Sequence, residues 1–266
     1  MRLRELPIIQ YQNISPKPHP SPLWLSVESF EKQLEYISMN DFQVLSIDDA
    51  IRYMVKEGGT IRSRPISFTF DNGYLDFYDN AFPILSKQHF PATLLISPFK
   101  IGKHRDIGDQ KIPYLTWDLL RELADNGINI GAYEDDAWNL NNLPGEKVIQ
   151  HVIEYKKELE DKLGKEIHYF GVKEGVPNQK IRDHLVSEGY RAFLTECPTN
   201  QKADLYAIGR IQVDDDDFNI FLTKISKTYL FFKDKKSWKY IREYSLDKLV
   251  HRLSEAYDRM KGIKAQ

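Results

Sequence analysis

The stretch RPISFTFDNGYLDFYDNAFPIL, residues 64–85, decides how this chain is read. An apolar, strand-like run ends on Asp71, Gly73 allows a sharp turn, and helix-like residues follow. A carboxylate at the end of a buried strand, just before a glycine turn, sits where α/β barrels collect functional groups. The next residue, Asn72, is a neutral amide. Its presence beside Asp71 bears on every chemical reading below.

Working outward, strand-like runs recur at 6–14, 42–47, 66–71, 92–97, 128–133, 167–172, 191–196 and 207–213. Several are almost wholly apolar, as strands covered on both faces must be. Helical patterns lie between them. Ser26 and Ser46 are placed as N-caps, Thr116 opens a helix that stops at Gly127, and two further helices stop at Gly164 and Gly189. A last helix is expected over SLDKLVHRLSEAYDRM, residues 245–260. Such alternation predicts parallel strands with right-handed crossovers, closed into a barrel or laid out as an open doubly wound sheet.

The 266 residues suit one α/β domain, here taken as 1–266 with a divergent part from about 214. A formal net charge of −2 gives no general attraction for nucleic acid or membranes, and no apolar run approaches a membrane span. Cys197 is the only cysteine, which excludes an intramolecular disulfide. The start, MRLRELPIIQY, has no apolar signal region, so the cytoplasm is the default expectation, or the envelope if the natural chain begins earlier.

FTFDNGY resembles the first motif of the NodB-type polysaccharide deacetylases, the family-four carbohydrate esterases, which usually reads Thr-Phe-Asp-Asp-Gly. LPIIQYQNIS, NAFPILSKQHFPATLLI, LTWDLLRELADNGINIGAY, EGYRAFLTE and IGRIQV extend the likeness over about four-fifths of the chain. The resemblance implies that family's distorted (β/α) barrel. It also implies a general base at Asp71, with a divalent metal held by the next residue and two histidines of a second motif. That cation would activate water and polarise the acetyl carbonyl.

The ligand positions depart from this pattern. They fall on Asn72, Tyr133 and Ala137: a neutral amide, a phenol and a methyl group. The third motif becomes FGVKEG, residues 170–175, with Lys173 and Glu174 in place of groove-wall residues. Gln12 stands where the opening strand often carries a histidine, and no late Leu-x-His motif can be placed. The expectation is a metal-free protein without a cofactor, in which Asp71 is a vestigial or repurposed base.

Further cleft candidates are Tyr74, Glu134, Asp135, Trp138, Glu196 and Arg210. The acidic run 134–136 is either a solvated loop, a hard-cation site, or part of a carboxylate pair with Asp71, Glu174 or Glu196. DDDD, residues 214–217, reads as a solvated loop, and the lysine- and aromatic-rich stretch 224–244 as an edge hairpin. Trp24, Trp117, Trp138 and Trp238 are the candidates for stacking on sugar rings. The functional expectation is a saccharide-binding protein or a partner subunit in cell-envelope polysaccharide metabolism. The alternatives are a carbohydrate-active hydrolase built on Asp71 and a second carboxylate, and an interaction scaffold with a filled cleft.

Overall fold

A computed structural model describes residues 4–16, 24–57, 61, 63–107, 109–134, 145–173, 178–196, 204–213 and 218–226. In chain order it runs β1 (Ile8–Tyr11), β2 (Asn13–Ser15), β3 (Trp24–Ser26), α1 (Val27–Met39), β4 (Phe42–Val44), α2 (Ile47–Met54) and β5 (Arg64–Asp71). A π-helical turn (Phe77–Ala81) leads into α3 (Phe82–Lys87), followed by β6 (Thr93–Ile96), β7 (His104–Ile107), β8 (Gln110–Pro113) and α4 (Trp117–Asp125). The rest is β9 (Asn129–Tyr133), α5 (Gly145–Leu163), β10 (Tyr169–Val172), α6 (Gln179–Ser187) and β11 (Ala192–Thr195). The short strands β12 (Ile208–Gly209) and β13 (Ile211–Gln212) come next, then α7 (Phe218–Lys224).

The principal strands are parallel, in the order β12-β11-β10-β9-β6-β5-β1-β13, with β4 added along β5. The two ends of that order are consecutive pieces of chain: Ile208 pairs with Leu194 of β11, and Ile211 pairs with Ile9 of β1. One short segment, with Arg210 at its centre, therefore closes the sheet on itself. The open-sheet alternative falls, and the protein is a near-closed α/β barrel.

Period-2 alternation sorts each apolar strand onto two faces. Tyr11, Phe68, Phe70, Leu94, Ile130, Phe170 and Phe193 point outward into the layer shared with the helices. Ile8, Leu95, Tyr133, Tyr169, Leu194 and Ile208 fill the interior, where α2 plugs one end with Ile47, Ala50, Ile51 and Met54. Asp48 of α2 anchors the plug, accepting hydrogen bonds from Tyr169 Oη, from Arg191 Nη1 (3.2 Å) and from Asn129 Nδ2 (3.3 Å). Gly171 is required by this packing. A Cβ there would lie 2.6 Å from both Leu95 Cδ1 and Tyr133 Cδ2.

The helix starts at Ser26, Ser46 and Thr116 follow the sequence reading, and these three and Asn178 each accept a bond from a first-turn amide. Gly127, Gly164 and Gly189, at the helix ends, have positive φ. The antiparallel β7–β8 hairpin was not expected, because its segment is too polar to register as strand. The expected helix over 245–260, the run DDDD and the 224–244 stretch beyond Ser226 lie outside the described residues.

A second latch lies beside the barrel mouth. Asp76 Oδ2 accepts from Asn13 Nδ2 (3.1 Å) and from the Ile14 amide (2.9 Å), while Asn80 Nδ2 donates to Ile14 O (2.8 Å). These bonds tie β2 to the helical segment that follows the Asp71 turn. Burial pushes the Asp76 carboxyl up from 3.8 to about 7, against the bonds from Asn13, Ile14 and Phe77 that favour its charge. A carboxyl whose pKa is raised by folding binds its proton more tightly in the folded state. Its contribution to stability is therefore full below the unfolded value and is lost as pH rises through about 7.

Two outcomes follow. Melting curves of Asp76→Asn against wild type should shift in favour of the variant as pH rises from about 4 to about 7, then level off; a difference independent of pH contradicts the assignment. Gly171→Ala should lower stability by about 1–3 kcal/mol in a denaturant titration, because the new methyl group overpacks the interior against Leu95 and Tyr133.

Candidate functional site

The C-terminal ends of the strands carry a buried polar network centred on Asp71, the last residue of β5. Arg210 grips it in bidentate fashion, Nη1 to Oδ1 at 2.5 Å and Nη2 to Oδ2 at 3.0 Å, and neither side chain has any exposed surface. Gln10 Nε2 donates both to Asp71 Oδ2 (2.7 Å) and to Glu196 Oε1 (2.9 Å). Tyr133 Oη donates to the same Glu196 oxygen at 2.9 Å. Four strands and the β12–β13 joint thus contribute one group each or the residue just beyond. The Arg210 amide also bonds Thr195 O (2.9 Å), so the residue that closes the barrel is also the one that clamps the carboxylate.

The electrostatics follow from two carboxylates sharing one guanidinium. Burial and then the Asp71 charge push Glu196 above the usual carboxylate range, against the pull of Arg210. Burial, Asp71 and Glu196 push the Tyr133 phenol well above its ordinary value, so it is a neutral donor. Burial opposes the charge on Arg210, but Asp71 outweighs it and holds the guanidinium above its usual range.

Asn72 and Gly73 form the turn after β5 with φ of +72° and +69°. Asparagine tolerates this left-handed conformation better than most residues do. Its Oδ1 accepts from the ammonium of Lys100 at 3.3 Å. Lys100 is only 7% exposed, and its Nζ lies 5.7 Å from the centre of the Tyr114 ring.

These residues do not fit a divalent metal. The Asn72 oxygen accepts a hydrogen bond from the Lys100 ammonium, the Tyr133 phenol is neutral and donates to Glu196, and Ala137 has no ligating atom. Among the described residues, no group of three His, Cys, Asp or Glu side chains could hold an ion.

Of the other sequence candidates, Glu134 is buried and its Oε1 accepts from the Lys173 backbone amide, so it is not part of a solvated acidic loop. Tyr74 stacks on Tyr114 with ring centres 4.8 Å apart, and its hydroxyl accepts from Arg105 Nη1 at 2.8 Å. Gln12 is buried beyond the end of β1 and makes none of the bonds to Asp71 or Glu196; Gln10 makes them instead. Asp135, Ala137, Trp138 and Glu174 lie outside the described residues. Sequence reasoning missed Gln10 and Lys100. The available signals were a polar residue inside the apolar run of β1 and a lysine shortly after β6. Beside the Asp76 latch a cavity of about 410 Å³ is lined by Trp24, Asp76, Asp79, Gln110 and Lys111, among others.

Removing one partner of a fully buried ion pair strands the other charge. Arg210→Met should therefore cost about 3–5 kcal/mol in equilibrium unfolding, and Asp71→Leu in the same chain should recover most of that loss. A single variant as stable as wild type contradicts the geometry.

Known proteins share this architecture. The chain is 27% identical over 211 residues to YxkH of Bacillus subtilis strain 168, a protein named among the polysaccharide deacetylases, covering 79% of this chain and 71% of that one. It is 25% identical over 189 residues to the poly-beta-1,6-N-acetyl-D-glucosamine N-deacetylase of Staphylococcus epidermidis, covering 70% of this chain and 54% of that one. The deacetylase PplD of Streptococcus pyogenes, solved with acetate, superposes with a TM-score of 0.68 at 18% identity, over 84% of this chain and 99% of the other. IcaB from Ammonifex degensii gives 0.64 at 20% identity, over 78% and 91%. The family model for polysaccharide deacetylase matches residues 58–193, just over half of the sequence. The chain therefore belongs to the polysaccharide deacetylase family, as a member in which no intact metal-binding triad is found among the described residues.

Proposed function

We propose that this protein binds a saccharide without deacetylating it. The observation that carries the reading is the state of Asp71. A working base must reach a water molecule, yet both oxygens of this carboxylate are held by Arg210, one of them also by Gln10, and the side chain is sealed from solvent. Water without a metal keeps a pKa near 15.7, so an aspartate alone makes a poor generator of the nucleophile.

The ligand class is supported by the company the chain keeps and by its surface. A relative named for poly-beta-1,6-N-acetyl-D-glucosamine makes that polymer the first ligand to test. Trp24, in the wall of the cavity beside the barrel mouth, offers an indole for stacking on a sugar ring, with Gln110 and Lys111 as hydrogen-bond donors. A role as partner subunit in envelope polysaccharide metabolism is compatible with such binding.

The glycosidase alternative has one point in its favour. Asp71 and Glu196 both accept from the one Gln10 nitrogen, so two carboxylates stand close together, as glycoside hydrolysis requires. Against it, a nucleophile must touch the anomeric carbon, and the Asp71 side chain has no exposed surface.

The test pairs two assays on the wild-type protein. Poly-β-1,6-N-acetylglucosamine and acetylated chito-oligosaccharides, with and without added zinc, should release no acetate. A glycan array probed with the metal-stripped protein should show saccharide binding, and Trp24→Ala should weaken it by about tenfold. Acetate release that disappears in Asp71→Asn overturns the proposal, and so does an array with no bound glycan.

A further inference from the structure

We infer that Lys100 is the site's built-in cation: its ammonium takes the place that a divalent metal would hold beside residue 72. The first ground is position. Residue 72 follows the aspartate of the family's first motif, and the group its side-chain oxygen meets is the Lys100 ammonium, 3.3 Å away. The second is burial. Lysine is rarely hidden, yet this one is 7% exposed, with its ammonium against the residue 72 oxygen. The third is the lining. The Tyr114 ring, 5.7 Å from Nζ, faces the ammonium and is itself fixed by stacking on Tyr74, the residue that follows the Asn72-Gly73 turn.

The backbone delivers Lys100 to this place. β6 lies beside β5 in register, with Leu95 opposite Asp71, so the chain leaving β6 passes directly over the turn that follows Asp71. A 3-10 turn over Pro98–Lys100 then folds the lysine back toward residue 72. The Lys100 amide bonds Ser97 O at 3.0 Å, and Tyr114 N bonds Lys103 O at 2.9 Å, which fixes both ends of the segment.

The substitution changes what the site can do. An ammonium donates hydrogen bonds and has no vacant orbital, so it holds an acceptor oxygen, such as an amide carbonyl or carboxylate of a ligand, without acidifying bound water. It also accounts for Asn72. An amide oxygen accepts from an ammonium without adding a third carboxylate to a region that already holds Asp71 and Glu196. The inference rests on the metal-free part of the proposed function and not on saccharide binding.

A double-mutant cycle in thermal melting tests it. Asn72→Asp places a carboxylate against Lys100, and removing Lys100 leaves that carboxylate buried and unpaired. Asn72→Asp should therefore lower Tm by about 5 °C or more beyond its wild-type effect when introduced into Lys100→Met. In Lys100→Arg, which keeps the charge and remains a usable background should the Met variant not fold, the effect of Asn72→Asp should match that in wild type. Equal effects in all three backgrounds overturn the role of Lys100 and leave the metal-free reading standing. Zinc added to the unaltered protein should leave its Tm unchanged; a zinc-dependent rise overturns both.

Discussion

The bidentate pair between Arg210 and Asp71 is the contact on which the rest of the barrel mouth depends. Arg210 lies between β12 and β13, the two short strands that join β11 to β1, and its side chain crosses the interior to β5. Barrel closure and charge compensation are therefore one event. If the segment around residue 210 slips by one position, the alternation of inward and outward side chains reverses and Asp71 loses its partner. Burying two charges is unfavourable unless geometry and additional bonds are good, and here Gln10 and Thr69 supply those bonds.

That compensation also limits the chemistry. Two carboxylates, Asp71 and Glu196, are balanced by groups of the chain itself: a guanidinium clamped on one, a glutamine bridging both, and a neutral phenol on the second. Asn72 in turn meets an ammonium. Asp71, Glu196 and Asn72 thus each accept from a donor of the protein, whereas Asp76 Oδ1 is buried without one. The fold is that of the polysaccharide deacetylases, while among the described residues no group of three His, Cys, Asp or Glu side chains could hold an ion.

Much of this was legible in the sequence, for identifiable reasons. Strands packed on both faces leave continuous apolar runs, so all eight runs coincide with parallel strands of the barrel. Ser26, Ser46 and Thr116 mark helix starts because their side chains replace missing backbone acceptors. Asp71 stood out as a charge ending a buried strand. What was not legible depends on register between strands distant in sequence. Gln10 was passed over for Gln12 because nothing within β1 reveals that Gln10 lies opposite Thr69, one turn of the pleat from Asp71. Lys100 and Asn72 are 28 positions apart, and only the pairing of β5 with β6 brings them together. The role of Arg210 in closing the barrel was hidden in the same way, although its place in IGRIQV had marked it as a cleft residue.

The central claim is that the protein's own cations, and not a metal, neutralise the mouth of the barrel. The most direct measurement is elemental analysis of the wild-type protein purified without chelator. The account predicts transition metal far below one ion per chain. One tightly held zinc, manganese or iron per chain, retained through purification and coordinated beside residue 72, would contradict it.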